Sequence, residues 1–329
     1  LLGAAVCFCL FLGWLAYRAF FSIYLDNERR LSAQRLDAFA LSLEATLARH
    51  ESLPSLLALD PALAALLRAP DDGARISAAN AYLEAAQQSA SVAAAYLIDT
   101  DGKTLAASNW RLPRSFVGHN YAFRPYFRDA LAHGLGRFYG VGVTTGESGY
   151  FLAAPVRENG RNLGVVVLKV GLEAMEQAMA GAGETLLLSD ADGIVFLSSE
   201  RKLRYRALAP LNEKVMARLS ETRQYGNQPI SPLAEQPIPA GQQASPLQIA
   251  LPDETSRERL ITTRPVGTQG WQVVQLGDPG EARAAALGAA IAVAFAAAFT
   301  LGLAAHFRHR TRRREELRRV YAELETRIA

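Results

Sequence analysis

Two long runs of apolar residues stand at the two ends of the chain. Residues 1–25 carry a single charged side chain, Arg18, and residues 284–307 contain no Asp, Glu, Lys or Arg. A helix of about 20 apolar residues is long enough to cross the hydrocarbon core of a bilayer. The pattern therefore predicts two transmembrane helices. The Arg-rich segment 308–314 predicts that the second helix ends on the cytoplasmic side, so residues 26–283 are external.

A cleaved secretory signal is the alternative for the first run. The apolar core of such a signal is about 7 to 15 residues long and ends in small residues, whereas bulky side chains fill positions 20–25 here. We therefore expect an uncleaved span. The sequence starts at Leu1 without Met or a basic flank, so we expect a short cytoplasmic start to precede it. Both cysteines, Cys7 and Cys9, lie in this span, and the external region is expected to fold without disulfides.

The external region shows helical periodicity first and strand patterns later. Apolar residues at spacings of three and four predict an amphipathic helix over residues 35–49, and residues 54–68 predict a second helix. From Val92 onward, short apolar runs separated by turn residues predict strands. The region is therefore expected to combine a long N-terminal helix with sheet.

A D-x-D-G turn between two apolar strands occurs twice. The pairs Asp101-Gly102 and Asp192-Gly193 lie 91 residues apart. An apolar strand, this turn and a strand ending in Ser, repeated at domain-sized spacing, predict two tandem copies of one small module. Calcium binding is the alternative for D-x-D-G. An EF-hand loop needs a third acidic or Asn ligand and a later Glu, which neither copy has.

Further strand patterns complete a sheet in each copy. They predict strands at 137–143, 150–157 and 163–170, a helix at 172–179, a long loop at 226–252, and strands at 259–266 and 271–276. The predicted fold class is α+β, with tandem modules of antiparallel sheet between two transmembrane helices. The predicted boundaries are 1–25 and 284–307 for the spans, 26–180 and 181–283 for the membrane-distal and membrane-proximal modules, and 308–329 for a cytoplasmic helix. In that helix Leu317, Tyr321, Leu324 and Ile328 form a short coiled-coil pattern.

Composition and charge exclude several function classes. The chain is 50% hydrophobic and 20% charged, with a formal net charge of +3. The basic excess is concentrated after the second span, where it suits anionic lipid headgroups, so we predict no nucleic-acid binding. Residues 146–149 lack the G-x-S-x-G spacing of a nucleophile elbow, and the five histidines lack metal-ligand spacing. No catalytic or metal site is predicted.

Arg124 lies in the most informative segment of the chain. Ten aromatic residues fall between positions 110 and 151, a density typical of a pocket wall. Ordinary sheet core is the alternative, and it is favoured for Phe123, Phe127 and Phe151. Pro125 favours extended backbone at Arg124 and the first position of a helix over 125–132. A helix N-terminus favours an anion, and a guanidinium holds a carboxylate with two hydrogen bonds. A surface Arg stacked on Tyr is the alternative.

Lys169 supplies a second cation. It belongs to the strand 165–170, which is apolar on both faces, and a lysine there is costly unless it meets an anion or the wet end of the strand. Two separated cations, with the hydroxyls of Thr144 and Thr145 between them, predict a small ligand with a carboxylate at each end. An amino-acid ligand would need an acid for its ammonium group, and Glu147 stays open as that partner.

Three stretches resemble one known family. They are Ala107-Ser108-Asn109-Trp110, the segment 116–127 with Asn120-Tyr121 and Phe123-Arg124-Pro125-Tyr126-Phe127, and Phe138-Tyr139 followed by Thr144-Thr145-Gly146 and Gly149-Tyr150-Phe151. The chain resembles the sensory region of the C4-dicarboxylate transport sensor histidine kinases (DctB type). The resemblance implies a double Cache (PAS-like) periplasmic domain whose distal module binds succinate, fumarate or malate. It places Tyr121, Arg124, Thr144, Thr145 and Lys169 at the ligand, with Ser108, Ser148 and Tyr150 as further candidates.

The resemblance also implies partners and a location. It implies a homodimer in the bacterial inner membrane that signals to a response regulator of a two-component system controlling dicarboxylate uptake. No cofactor is expected in this chain, and ATP and Mg²⁺ are expected for a kinase region outside it. Two alternatives are the ligand-binding region of a chemotaxis receptor or cyclase for a small carboxylate or amino acid, and a membrane-tethered binding protein without signalling.

Overall fold

The computed structural model describes residues 2–181, 184–233, 238, 245–249 and 257–328, in two compact units. One unit combines Leu1–Ser32 with Asp278–Ala329, and the other is Ala33–Gly277. The second unit is called the external unit here, after the predicted placement of residues 26–283. The helices are α1 (Leu2–Glu51), α2 (Leu53–Leu57), α3 (Pro61–Arg68), α4 (Gly73–Ala90), α5 (Pro125–His133), α6 (Glu173–Ala180), α7 (Glu213–Thr222) and α8 (Gly280–Ile328). The strands are β1 (Ala94–Asp99), β2 (Thr104–Ala107), β3 (Gly136–Val141), β4 (Ser148–Glu158), β5 (Arg161–Val170), β6 (Thr185–Ser189), β7 (Val195–Ser198), β8 (Arg206–Ala207), β9 (Ser231–Pro232), β10 (Ser245–Ile249), β11 (Arg257–Val266) and β12 (Trp271–Gly277).

The helical unit contains stretches of α1 and α8 that are long and apolar enough to cross a membrane. Large apolar side chains such as Phe8, Trp14 and Phe295 are exposed in it. The two helices approach closely at Gly13, where an added Cβ would lie 3.2 Å from the carbonyl oxygen of Ala290. Small residues permit this kind of packing between membrane helices. Both predicted spans are therefore confirmed as apolar helices of sufficient length.

Helix α8 continues through the basic segment 308–314 and ends at Ile328. The described side chains of α8 end at Arg318, and those of the basic segment are exposed. The predicted coiled-coil pattern at Leu317, Tyr321, Leu324 and Ile328 therefore lies largely outside the described side chains and stays a prediction.

The amphipathic helix predicted over residues 35–49 is confirmed as part of α1. Its apolar side chains, such as Leu36 and Leu43, are buried. The sequence pattern does not predict α4, because its alanine-rich residues do not form one clear apolar stripe. Tertiary contacts hold α4 in place: Asn80 is buried, and its Oδ1 accepts the Ala107 N–H at 2.9 Å.

The single helix predicted over residues 54–68 is wrong, since α2 and α3 are separate. Pro61 opens α3, and a proline inside a helix removes a hydrogen bond and clashes with the preceding turn. Asp60 caps α3 by accepting the Ala62 N–H at 2.8 Å. The break therefore follows from a capping residue followed by proline.

The first module is an antiparallel sheet with strand order β2-β1-β5-β4-β3. Its register places Lys169 of β5 between Ala94 of β1 and Phe151 of β4. β4 and β5 are joined by a tight turn in which Asn159 and Gly160 have φ values of 51° and 77°. Positive φ at both central residues is typical of a two-residue hairpin turn. The predicted antiparallel meander is confirmed.

The second module repeats this topology. Its strand order is β10-β11-β12-β6-β7, so β6, β7, β10, β11 and β12 correspond in turn to β1 through β5. The predicted tandem repeat is therefore confirmed. The loop predicted over residues 226–252 is wrong in part, because β9 and β10 fall within it. Residues 234–237, 239–244 and 250–252 of that prediction lie outside the described residues.

The two D-x-D-G turns are built in the same way. The first carboxylate accepts backbone N–H groups two and four residues later, at 3.0 and 2.8 Å for Asp99 and at 3.0 and 2.9 Å for Asp190. Gly102 and Gly193 adopt φ values of 88° and 75°. A side chain that replaces a backbone acceptor in this way defines an Asx turn. The turn interpretation of the motif is confirmed.

The first sheet is covered on both faces by different partners. One face, here called the helix face, carries Leu97, Val166 and Leu168 and belongs to the core that includes the side chains of α1, α3 and α4. The other, here called the aromatic face, carries Tyr96 and Phe151 and packs against the segment 116–127 and α5. Successive residues of a strand point to opposite faces. The alternation along each strand therefore decides which residues reach the candidate site.

Substitution of Gly102 by Ala tests the packing of segment 118–122 on the first D-x-D-G turn. An added Cβ at Gly102 would lie 2.5 Å from Cβ and 2.6 Å from N of Ala122, whereas Gly118, with a similar φ of 83°, has nothing within 4 Å. We expect Gly118→Ala to cost roughly 1–2 kcal/mol for its left-handed backbone, and Gly102→Ala to cost about 1–3 kcal/mol more for overpacking. Urea unfolding of the external unit measures both, and equal losses would contradict this packing.

Candidate functional site

Arg124 occupies the N-cap position of α5, and Pro125 follows it as the first helical residue. Its backbone is extended, with φ −78° and ψ 134°, as the proline requires. The guanidinium is buried, with 1% of the residue exposed. The prediction that Arg124 begins a helix is confirmed, and the prediction that it contacts a ligand stays a prediction.

Within the described part of the chain, the Arg124 guanidinium donates its hydrogen bonds to backbone carbonyl oxygens. Nη2 donates to Val141 at 2.6 Å, and Nη1 donates to Thr222 at 3.2 Å and to Arg223 at 3.3 Å. The last two oxygens belong to the C-terminal end of α7, where unpaired carbonyls carry partial negative charge. Arg124 therefore joins the first module to the second, which keep the names distal and proximal from the sequence prediction. No local sequence pattern predicts this contact.

Gly140 leaves space for this guanidinium, and two phenyl rings lie close to it. A Cβ at Gly140 would lie 3.2 Å from Nη1 of Arg124. The Arg124 Cζ atom lies 5.3 Å from the ring centre of Phe123 and 5.5 Å from that of Phe138, within the range of a cation–π contact. Burial lowers the pKa of Arg124 from its ordinary value, yet a guanidinium keeps its charge in proteins. The site thus holds a fixed positive charge among aromatic rings.

Tyrosine hydroxyls lie around Arg124 on the aromatic face. The Tyr96 hydroxyl donates to the Tyr126 hydroxyl at 2.8 Å, and the hydroxyls of Tyr121 and Thr144 are 2.6 Å apart. Burial raises the pKa of all three tyrosines, and Arg124 lowers it in part. These hydroxyls are therefore neutral donors beside a cation. The structure brings Tyr121, Thr144 and Arg124 into one neighbourhood.

Lys169 is the second buried cation, with 2% of the residue exposed. Its Nζ donates to Thr145 Oγ1 at 3.2 Å and to Glu147 Oε2 at 3.1 Å. Gly149 of β4 and Gly142, which follows β3, leave room for it. A Cβ at Gly149 would lie 2.8 Å from Lys169 Cε, and one at Gly142 would lie 2.8 Å from Thr145 Oγ1. The structure therefore brings Lys169 and Thr145 together on the aromatic face, as the strand period predicts.

A cavity of about 480 Å³ opens next to Lys169. Its lining includes Thr145, Glu147, Asn109, Arg114 and Phe116. Arg114 donates from Nη1 to the Thr145 carbonyl oxygen at 3.1 Å, which ties the loop after β2 to the loop after β3. The sequence analysis missed Arg114 and Tyr96. Tyr96 was detectable, because period two in β1 places it on one face with Ala94 and Ile98.

Two further candidates, Ser108 and Ser148, have hydrogen-bond partners other than Lys169. Ser108 extends the β1–β2 ladder, since its Oγ accepts the Ala95 N–H at 3.0 Å and its own N–H donates to the Ala95 oxygen at 2.7 Å. Ser148 accepts a hydrogen bond from Arg204 Nη2 at 3.3 Å in a different cleft, where Glu176 pairs with that arginine. Ser108 therefore has a structural part in the sheet, and Ser148 faces the proximal module.

Tyr150 lies on the helix face of the sheet. Its ring packs edge-on against Trp271 at 5.3 Å, and its hydroxyl pairs with the Gln269 amide. The two-residue period of β4 puts Ser148 and Tyr150 on the face opposite Gly149 and Lys169. Both side chains therefore lie on the face opposite Lys169, as the period of β4 predicts. The expectation that they contact the ligand stays a prediction.

The segment 221–225 docks on the edge of the first sheet. Gln224 O accepts the Val141 N–H at 2.7 Å, which adds a backbone bond to the free edge of β3. Glu221 pairs with Arg128 at 3.1 Å, and the Arg223 Cζ atom lies 5.1 Å from the ring centre of Phe123. Together with Arg124, these contacts form a continuous link from the aromatic face to the proximal module.

Asp190 anchors the same segment inside the proximal module. Its Oδ2 accepts the Tyr225 hydroxyl at 2.6 Å and the Gln224 Nε2 amide at 3.3 Å. Burial raises the pKa of Asp190, and the Tyr225 hydrogen bond opposes that rise. The second D-x-D-G turn therefore holds the residues that contact the distal module.

Arg124→Lys tests the structural part of the guanidinium. A single ammonium cannot reproduce the fork that reaches three carbonyl oxygens, and hydrogen bonds from charged groups contribute about 1.5–3 kcal/mol each. We expect a loss of roughly 2–5 kcal/mol in the free energy of unfolding of the external unit, measured with urea. Arg128→Lys, at an exposed ion pair, should cost under about 1 kcal/mol. Equal small losses would contradict the assignment.

Tyr225→Phe tests the support of the Asp190 carboxylate. Loss of a hydrogen bond to a buried ionised group should cost about 1.5–3 kcal/mol near pH 7. Because the folded-state pKa of Asp190 is raised, the cost should shrink as the pH falls through that pKa and the carboxyl gains a proton. Tyr82→Phe, whose hydroxyl donates to the Leu57 carbonyl, should show no such change over the same acidic range. Unfolding measured at several pH values distinguishes the two, and a Tyr225→Phe cost that is independent of pH would be the contrary result.

Comparison with known proteins gives the same architecture. The Cache domain family matches residues 24–286. The crystal structure of the Vibrio cholerae histidine kinase DctB sensor domain superposes with a TM-score of 0.70 and is 30% identical, covering 77% of this chain and 97% of that one. The ligand-binding domain of the Pseudomonas fluorescens chemoreceptor CtaA, in complex with L-leucine, is 16% identical with a TM-score of 0.52, which shows the fold alone.

Two curated relatives are longer proteins with the same name. The C4-dicarboxylate transport sensor protein DctB of Pseudomonas aeruginosa is 39% identical over 189 residues, which are 57% of this chain and 31% of that protein. The DctB of Rhizobium meliloti is 34% identical over 245 residues, 74% of this chain and 39% of that protein. The chain thus spans well under half of either relative. With its two apolar helices it is a membrane-bound sensor, and it belongs to the Cache domain family as a sensory region of the DctB type.

Proposed function

We propose that the distal module binds a C4-dicarboxylate such as succinate, fumarate or malate, and that the chain reports this binding across the bacterial inner membrane. The external unit would then lie in the periplasm. The observation that carries the proposal is the pair of buried cations, Arg124 and Lys169, on the aromatic face of a DctB-type Cache module.

The charge balance of the site supports a dianionic ligand. Among the described residues, Arg124 donates to neutral carbonyl oxygens and the carboxylate at Lys169 belongs to Glu147, whose side chain is 67% exposed. Burial of charge without full neutralisation is costly. A ligand with two carboxylates would offset that cost at both positions. We assign one carboxylate to Lys169 and Thr145, and the other to Arg124 with the hydroxyls of Tyr121 and Thr144.

The link to the proximal module supports a route for the signal. A ligand carboxylate at Arg124 would share the guanidinium with the Thr222 and Arg223 carbonyls, so binding would alter the force on segment 221–225. That segment is tied to Asp190 of the proximal module. A ligand can shift an equilibrium only through contacts that differ between two states. The shared guanidinium supplies such a contact.

The remaining parts of the proposal concern the longer protein. We assign this chain to the sensory portion of a homodimeric histidine kinase, which would use ATP and Mg²⁺ and phosphorylate a response regulator for dicarboxylate uptake. The DctB names of the curated relatives support this assignment.

Calorimetric titration of the chain in lipid nanodiscs with succinate tests the ligand assignment. We expect micromolar binding that weakens roughly 30-fold or more in Lys169→Met, since truncating one partner of a buried charge pair costs 2–5 kcal/mol or more. Lys103→Met is the matched control, because Lys103 is exposed in the same module. Binding that is absent from the unaltered chain, or unchanged in Lys169→Met, would contradict the proposal.

A further inference from the structure

Glu147 is the residue whose position the proposed site leaves unexplained. Its carboxylate lies 3.1 Å from the Lys169 ammonium nitrogen, although the Glu147 side chain is 67% exposed and Lys169 is buried. A ligand carboxylate bound by Lys169 would need the same hydrogen-bond distance to the same nitrogen. Glu147 therefore presents to Lys169 the chemical group that a dicarboxylate would bring.

The loop that carries Glu147 is held by its backbone. The Gly142 N–H donates to the backbone carbonyl oxygen of Glu147 at 2.8 Å, and the Gly146 N–H donates to that of Gly142 at 2.7 Å. Gly146 supports this turn with a φ of 75°. Rotation of the Glu147 side chain alone is thus sufficient to release Lys169. Because the Glu147 carboxylate is already largely in water, its hydration changes little when it leaves Lys169.

Glu147 also lines the 480 Å³ cavity that leads to Lys169. A second carboxylate entering this cavity meets like charge at short range, where two anions repel. A ligand that carries an ammonium group beside its carboxylates meets attraction instead. The same side chain thus disfavours a simple dicarboxylate and favours an amino dicarboxylate.

We infer that Glu147 is a specificity-determining residue that competes with ligand carboxylates for Lys169 and lowers the preference for succinate over aspartate. The inference rests on the proposed dicarboxylate function of this site. It concerns the selectivity of the pocket, not its existence.

Calorimetric titration of the whole chain in nanodiscs with succinate and with L-aspartate tests the inference. For Glu147→Gln we expect succinate to bind about tenfold more tightly and aspartate to bind no more tightly, which raises the succinate preference by about the same factor. Glu158→Gln is the matched control, because Glu158 is an ion-paired glutamate at the far end of β4, the strand that follows Glu147. It should change both affinities by less than about twofold.

The outcomes separate this inference from the proposed function. Succinate that binds the unaltered chain and Glu147→Gln equally well would overturn the inference and leave the function standing. Aspartate binding that weakens while succinate binding is unchanged would make Glu147 an amine partner only, and would also overturn it. Failure of succinate to bind either protein would overturn the proposed function, and the inference with it. If Glu158→Gln raised the succinate affinity as much as Glu147→Gln, the change in net charge alone would explain the effect. That result would overturn the proposed competition at Lys169.

Discussion

The buried guanidinium of Arg124 is the contact on which the external unit depends most. The backbone of Arg124 forms the N-cap of α5. Its side chain donates hydrogen bonds to carbonyl oxygens of β3 and of the C-terminal end of α7. A buried cation needs hydrogen-bond acceptors for most of its N–H donors. The two modules must therefore stay docked for the charge to remain satisfied. This requirement ties the ligand-facing side of the distal sheet to the proximal module through one residue.

The two faces of the first sheet pack against different partners, so neighbouring residues of one strand have different roles. On the helix face, Tyr150 and the leucines bind the sheet to α1, α3, α4 and the proximal module. On the aromatic face, Lys169 and the tyrosines define a polar pocket inside an apolar wall. Glycines at 140, 142 and 149 leave space where the two cations need it. Structural and functional residues can therefore alternate along one strand.

Much of this organisation is predictable because it depends on local rules. The repeated D-x-D-G turns, the two-residue period of β5 and the Pro125 rule for Arg124 each depend on a few neighbouring residues, and the structure has all three. Family resemblance put Ser148 and Tyr150 at the ligand, whereas the period of β4 predicts that they lie on the face opposite Lys169, where the structure has them. Two of the three carbonyl partners of Arg124, those of Thr222 and Arg223, lie 98 and 99 residues away in another module, and no local pattern encodes such a contact. Helix α4 was missed for a similar reason, since tertiary burial and not a strong apolar stripe holds it.

A ligand at the distal site would act on the proximal module through Arg124. Hydrogen exchange of the chain in nanodiscs, compared with and without saturating succinate, tests this route. We expect altered protection in peptides covering residues 138–147 and, at the same succinate concentrations, in peptides covering residues 219–226. Protection that changes at 138–147 and stays unchanged at 219–226 would contradict a route through Arg124.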